Sequence, residues 1–444
     1  MSFTAYETLS AQKRLYIINH LLGDSILYNE NRVWTVKGNL DPARLKKAIE
    51  QICHRHETLR TCFVMKDGEV LQKVFDHIDV DFKYLRRETT DPPEGNFDAL
   101  IVNFLEPYNL ANAPLWKIAL VQWDQNRQSI LMDFHHILAD GISMDLIMEE
   151  LGTLYLIREL PEPEVQYVDF VIWQNDFFNG EGIRAQETYW LKLFEGDIPV
   201  LELPTNFARP QEVDIAGTSI DFELNDGLTT GVNKLAARYN TTLYVVLLSI
   251  FNILLSKYTN QEDIIVGTPV SGRPHLEFEK VMGMFVNTLA MRNQPEGGRT
   301  FIEFLCEVSK NAFAAFENQD YQFEMLVEKV AAHRQLNRNP LFDVMFALQN
   351  FSRDIDLSVD GAEELRIIPY HYKRRAAKFD LTIQAFEVGR HISFMLDYRT
   401  SLFRPETIER LTKHFLNIFR EVTVNPHILL SDIQVISESE KEQL

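Results

Sequence analysis

The sequence predicts a mixed α/β chain folded as two lobes, and three observations carry that reading. Its 444 residues exceed what one ordinary core serves and suit two or three domains. Strand-like and helix-period runs alternate along its length. A proline-containing interruption falls near residues 175 to 210, after which the alternation begins again. With 45% hydrophobic and 24% charged residues the composition is that of a globular chain, which sets aside disordered and fibrous classes.

Along the first part, Arg32 to Lys37 reads as a strand. Asp41-Pro42 opens a helix, a capping residue followed by proline at the first helical position, and Leu45, Ala48, Ile49 and Ile52 mark its buried face. Thr61 to Met65 and Val70 to Phe75 are short strands around the Lys66-Asp67-Gly68 turn. Trp116 to Trp123 and Ser129 to Phe134 are two more, joined by the polar stretch Asp124 to Arg127. Ser143 is the expected N-cap of a helix carrying Ile147, Leu151, Leu154 and Tyr155. Pro161-Glu162-Pro163-Glu164 then breaks helical periodicity, and Leu203-Pro204 to Arg209-Pro210 follows a helix-like segment with Tyr189 and Trp190. The second part resumes with strand Thr218 to Leu224, a buried helix over Leu243 to Leu255 and strand Asp263 to Pro269. Helix Phe301 to Phe316, strands Leu341 to Leu348, Phe379 to Phe386 and His391 to Asp397, and helix Pro405 to Val422 complete it.

A formal net charge of -20 argues against non-specific binding to nucleic acid or to an anionic membrane, since both need a basic face. The short basic cluster Lys373-Arg374-Arg375 reads as a solvated loop. Cys53, Cys62 and Cys306 show neither a CxxC spacing nor an even framework, so a reducing cytoplasm is the expected setting. Met1 to Glu7 lacks the basic and apolar regions of a signal peptide. The Leu243 to Leu255 run, interrupted by Ser249 and Asn252, is shorter than a membrane span.

The most informative stretch is Phe134-His135-His136-Ile137-Leu138-Ala139-Asp140-Gly141. It puts two imidazoles, a carboxylate and a glycine where a strand gives way to a loop, a place where a rigid sheet leaves side chains able to meet a substrate. An HHxxxDG match arises by chance in a chain this long about one time in a thousand at ordinary residue frequencies. Adjacent histidines with this aspartate lack the HExxH spacing that sets two imidazoles on one helix face, so no metal is expected. A triad reading, with Asp140 holding His136 in one tautomer, has to be weighed. Gly141 fits either a close backbone approach to a narrow substrate arm or a positive-φ turn.

This stretch and others in the same order resemble the condensation domain of nonribosomal peptide synthetases, in the chloramphenicol acetyltransferase-like superfamily. Ser10-Ala11-Gln12-Lys13-Arg14-Leu15-Tyr16 looks like the opening motif, Arg55-His56-Glu57-Thr58-Leu59-Arg60-Thr61-Cys62-Phe63 like the second, and Tyr167 to Trp173 like the one leading out of the first lobe. Gly283-Met284-Phe285-Val286-Asn287-Thr288, Asn318 to Glu324 and Arg338-Asn339-Pro340-Leu341 complete the set. Ile142 stands where many members have tryptophan and Gln322 where many have proline, so an altered channel shape is expected.

The resemblance implies two acetyltransferase-like lobes in a V around a central channel, residues 1–175 and 176–430, with 431–444 resembling the start of a linker toward an adenylation domain. It implies amide formation between a donor thioester and an acceptor α-amine, with L-configured donors. Both would ride on 4'-phosphopantetheine arms of upstream and downstream carrier proteins, with no cofactor bound and most simply as a monomer, in antibiotic or siderophore assembly. His136 is then the group that accepts the amine proton or orients the amine. His135 ranks second and is expected to be structural, and Asp140 is expected to make a buried ion pair with Arg273. Asn287 and Arg60 are the channel or substrate candidates, each weighed against a turn or packing role. The rivals are an epimerization domain, a free-standing acyltransferase using coenzyme A and a non-catalytic docking module. Heterocyclization members are disfavoured because they replace the histidines with aspartates.

Overall fold

The computed structural model describes all residues except 1, 24, 88–93, 157, 213, 331–336, 350–354, 357–364, 371–375, 390, 437–439 and 441–444. Lys373-Arg374-Arg375 therefore lies outside the described residues. The chain forms two compact units, and they are not two consecutive stretches: the first takes Met1–Ile183, Ser271–Val286 and Ser352–Lys373, the second Arg184–Val270, Asn287–Phe351 and Arg374–Leu444. This differs from a single cut between residues 175 and 176. The physical reason lies in the side chains of 271–286. Phe278, Val281 and Phe285 bury with Leu9, Tyr167, Phe170 and Val171, and Met282 and Met284 join the main core of the first unit.

In that unit, β1 (Phe3–Glu7), β3 (Thr61–Lys66) and β4 (Glu69–Phe75) form a three-stranded antiparallel sheet with β4 in the middle. The larger sheet has six strands: Ile355–Asp356, Arg366–Pro369, β2 (Asn29–Lys37), β7 (Arg127–His135), β6 (Trp116–Gln122) and β5 (Phe82–Arg86). Strand β7 lies between β2 and β6 and is antiparallel to both. Alternation of side chains gives it two faces. On one, Trp34, Trp116, Ile130, Met132 and Phe134 pack with α2 (Pro42–Arg55) and α4 (Gly141–Tyr155). On the other, Val33, Ala119, Val121 and Leu131 pack with Leu100, Ile101 and Phe104 of α3 (Glu94–Phe104). Covering both faces explains why β6 and β7 read as nearly continuous apolar runs. Helix α2 begins as its sequence predicts, with Asp41 accepting the Arg44 N–H at 2.7 Å and proline next in line. Helices α1 (Ser10–Leu22) and α5 (Tyr167–Phe178) coincide with the first and third quoted motifs.

The second unit has its own six-stranded sheet, in the order Asn287–Asn293, Ile264–Val270, Val344–Gln349, Leu381–Val388, His391–Arg399 and Gly217–Leu224. Helix Leu243–Thr259 is buried from Val245 to Leu255. Phe251, Phe346, Phe394, Phe415 and Phe419 make an aromatic core there. Among the described residues no single helix is long and apolar enough to cross a membrane.

Candidate active site

The histidine run is presented by the end of β7. His135 is its last residue and pairs with Asn29 of β2. The His135 N–H donates to the Leu115 carbonyl at 2.9 Å and the His136 N–H to the Tyr28 carbonyl at 2.7 Å, so both histidine backbones are held by neighbouring segments. The turn closes with the Leu138 N–H on the His135 carbonyl (2.9 Å), and Ile137, Leu138 and Ala139 are at most 1% exposed. From Gln128 to Asp140 every residue is buried except His136. Burying its neighbours forces this one imidazole outward.

The two rings are held through different contacts. His136 Nδ1 lies 2.9 Å from the Ala139 carbonyl, which can only accept, so Nδ1 carries the proton and the neutral ring keeps its lone pair on Nε2. His135 Nδ1 instead accepts the Ile137 N–H at 3.1 Å, and the Asn19 side-chain nitrogen lies 3.4 Å from its Nε2. His135 braces the turn, while His136 points a basic nitrogen away from its own anchor.

Asp140 ends the turn and caps α4. Its Oδ1 accepts the Ser143 N–H and hydroxyl, both at 2.8 Å, and one Arg273 nitrogen at 3.1 Å. Its Oδ2 accepts the other Arg273 nitrogen at 2.7 Å and the Phe285 N–H at 3.3 Å. The expected cap, Ser143, is thus corrected to Asp140, whose carboxylate accepts the Ser143 N–H of the first turn and suits the positive helix end. The Asp140 and Arg273 side chains are 2% and 3% exposed, and the guanidinium lies over the Phe285 ring at 4.1 Å. Both Asp140 oxygens are occupied by these partners, which is not the triad arrangement.

Successive residues of the 282–285 segment are held by different elements. Thr58 donates to the Met282 carbonyl (2.8 Å) and Tyr167 to that of Met284 (2.8 Å). The Ser143 hydroxyl meets both the N–H (3.0 Å) and the carbonyl (2.8 Å) of Gly283. A Cβ on Gly283 would come within 1.9 Å of the Tyr167 ring, so only glycine fits. Further along α4, Glu150 accepts from Arg55 at 3.2 Å and faces His56 Nε2 at 2.6 Å.

The remaining candidates fall as follows. Gly141 has no positive φ, and a Cβ there would meet only the Arg32 guanidinium, at 3.5 Å, so the turn reading drops out. Arg60 directs its donors to the carbonyls of Cys53 (3.1 Å), His54 (3.4 Å), Asp76 (3.3 Å) and Phe75, closing the end of α2. Asn287, in the second unit, is buried. It donates to the Gln319 and Tyr321 carbonyls (2.8 and 3.0 Å) and accepts from the Thr288 and Phe323 N–H groups (2.8 and 3.1 Å). Both residues act as backbone staples. Ile142 is exposed and Gln322 is buried. No group of three or more histidine, cysteine or acidic side chains among the described residues is placed to hold a metal ion.

Sequence reasoning passed over Tyr28 and Asn29, which receive the histidine strand, and Ser143 in its joining role. It also passed over Asp133, a fully buried carboxyl whose only signal was its place in an apolar strand.

A sequence profile of the condensation domain matches residues 3–444. The chain belongs to the condensation-domain family. It is 42% identical over 439 residues to gramicidin S synthase 2 of Aneurinibacillus migulanus, covering 99% of this chain and 10% of that protein. Tyrocidine synthase 3 of Brevibacillus parabrevis is 43% identical over 439 residues, 99% of this chain and 7% of that one. The condensation domain thus spans a tenth or less of the length of these relatives. Among solved structures it is similar to holo-AB3403, a four-domain nonribosomal peptide synthetase bound to AMP and glycine. The TM-score is 0.89 at 20% identity, over 99% of this chain and 34% of that one, a likeness of fold. The chloramphenicol acetyltransferase-like fold expected of the family is the one this domain has.

Proposed function

We propose that this domain joins a donor acyl thioester to the α-amine of an acceptor aminoacyl thioester, with His136 as the catalytic residue. The observation that carries the reading is His136 itself: the one unburied side chain of its stretch, with the proton fixed on Nδ1 and the lone pair on Nε2. The acceptor amine, with a pKa of about 8, must be neutral to attack. Attack on the thioester carbon forms the C–N bond and a tetrahedral oxyanion, and the nitrogen must then lose a proton. His136 Nε2 accepts it, the C–S bond breaks, and the departing thiolate takes the proton from the imidazolium. The oxygen returns to a carbonyl and every atom is accounted for. His135, Asp140 and Arg273 act through His136 by holding the turn that carries it, and Gly141 leaves room beside it.

The substrates are proposed to arrive on the 4'-phosphopantetheine arms of an upstream and a downstream carrier protein, with L-configured donors, and an adenylation domain to follow in the parent chain. No cofactor of the domain's own enters this scheme. In the test, aminoacyl groups are loaded onto both carriers and carrier-bound product is followed by intact mass. Dipeptidyl product, reduced at least about 10²-fold by His136→Ala, is expected for a positioned base. An inverted monomer would make the domain an epimerase. Carrier binding without product would make it a docking module, and turnover with soluble coenzyme A thioesters alone would make it a free-standing acyltransferase.

A further inference from the structure

Three residues before His136 stands a carboxyl with no part in the scheme above. Asp133 is 0% exposed, and its parity on β7 puts it on the α3 side with Leu131 and His135. Asn29 Nδ2 donates to its Oδ2 at 2.9 Å and also to the Glu106 carbonyl at 3.0 Å. The Tyr108 hydroxyl donates to the Asp133 main-chain carbonyl at 3.0 Å, and the Tyr108 ring meets that of His135 edge-on, centroids 6.3 Å apart. Asn29 thereby ties together β2, β7 and the Glu106 loop. It is also the register partner of His135 and follows Tyr28, which receives the His136 N–H.

The charges around Asp133 do not match it. Lys117 of β6, its register partner, gives its ammonium to Glu106 at 2.8 Å. Glu30 on β2 adds negative charge nearby, and Asp81 and Glu106 act on Tyr108. Asp133 Oδ1 and Asn29 Oδ1 are buried acceptors with no hydrogen-bond donor. Burial pushes the Asp133 carboxyl up to about 7, against the pull of Lys117 and of hydrogen bonding from Tyr108 and Asn29, with Glu30 adding to the rise.

We propose that Asp133 is a proton-dependent positioning residue for His136: when it holds its proton, the neutral carboxyl and Asn29 together clamp the strand ends that hold the histidine turn. This rests on the reading that His136 does the chemistry. A protonated carboxyl turns one orphan acceptor into a donor and removes an uncompensated buried charge. Ionising it leaves a carboxylate whose neighbouring cation is already paired, and the strain is relieved by letting water into the strand ends.

The experiment uses the same carrier-loaded assay from pH 5.5 to 8.5, with wild type, Asp133→Asn, Asp133→Ser and His136→Ala. Asparagine keeps the size and stays neutral throughout. The ratio of Asp133→Asn turnover to wild-type turnover is expected to be level on the acid side and to rise severalfold through pH 7, because only the wild type charges. A level ratio across the range overturns the proposal. Stability gives a readout that does not need turnover. The folded value lies above the unfolded one, so the proton's contribution is fully present below about pH 4 and is lost as pH rises through about 7. The wild-type urea midpoint should therefore fall relative to Asp133→Asn over that window, and parallel curves overturn the proposal.

Should neither variant fold, infrared spectra of wild type labelled with ¹³C-aspartate decide. An isotope-shifted protonated-carboxyl band that persists above the ordinary aspartate range and bleaches near pH 7 is expected, and its absence overturns the assignment. Full activity in His136→Ala would defeat the catalytic reading instead, while the carboxyl titration stood or fell by itself.

Discussion

Replacing Asp140 by alanine removes five hydrogen bonds at one stroke, three to Oδ1 and two to Oδ2. Two losses can be separated. Losing the cap of α4 costs about 1 kcal/mol. Stranding Arg273, 3% exposed, costs about 3–5 kcal/mol, since its guanidinium is left buried with only the hydroxyl of Ser143, the Val281 and Ser271 carbonyls and the Phe285 ring as company. The terms overlap, so about 3–5 kcal/mol in total is expected. Asp140→Asn divides them, because asparagine caps as well as aspartate but carries no charge. It should lose most of the same stability. A chain of two units need not unfold in one step, so urea melts are best joined to hydrogen exchange read separately over residues 134–146 and 271–286. Exchange should rise in both segments. The double variant Asp140→Ala/Arg273→Leu should recover part of the loss, as two buried charges leave together. A loss under about 1 kcal/mol in Asp140→Ala, or wild-type exchange over 271–286 in Asp140→Asn, would refute the reasoning.

Three further outcomes follow from the same structure. Burial alone would raise the Glu150 carboxyl, but the His56 and Arg55 contacts outweigh it and hold the group below the ordinary glutamate range. Its contribution is present above about pH 4.3 and is lost as pH falls through the folded value, so Glu150→Gln should flatten the acid limb of stability against pH; an unaltered limb would contradict this. Gly283→Ala drives a methyl into the Tyr167 ring and should cost about 1–3 kcal/mol or more. Gly141→Ala, with only Arg32 at 3.5 Å, should stay within about 0.5 kcal/mol of wild type yet lose turnover; thermal melts beside the carrier assay check both. Burial pushes the Cys53 thiol up to about 11 against the pull of Arg60 and also raises Cys62, whereas Cys306 is exposed. One thiol per native chain should therefore react promptly with a disulfide reagent and three after unfolding, and prompt reaction of two or more in the native chain would count against the packing.

What the sequence makes legible here is short-range. Asp41-Pro42 announces α2 because a cap and its first helical residue are neighbours, and β7 announces itself because both of its faces are covered. The histidine turn is legible because its chemistry is contained in eight consecutive residues. Long-range partners are another matter. Ser143 looks like a cap by its position before an apolar helix. Its role in joining Gly283, 140 residues away, depends on an approach no local pattern encodes. The Arg273 partner of Asp140 was suggested by family resemblance rather than by spacing. Strand Arg366–Pro369 ends in proline, which demotes it in any local reading, yet it pairs with β2; Pro369 lies past Arg366 and Ile367, the residues that the short Ile355–Asp356 strand pairs, so its missing N–H is tolerated. Strand β5 is harder to read, since its five residues are interrupted by Lys83 and Arg86 and none of them is fully buried.

The histidine turn is fastened by two polar clusters that differ in kind. After the turn, Asp140 faces a guanidinium of opposite charge, and both its oxygens are filled by N–H and O–H donors. That cluster is balanced, so it can be deeply buried and still give a single geometry. Before the turn, Asp133 faces Asn29 and a lysine already paired with Glu106, so balance there depends on one proton. Rigid holding needs only the first arrangement. The second places a group that titrates near neutrality one strand-end away from a base that must itself stay neutral, with Tyr28 and Asn29 as the shared backbone between them. Fixing the turn on both sides also explains why His136 is only half-buried while the residues on either side are fully buried: with the turn unable to yield, the imidazole is the group left to face outward.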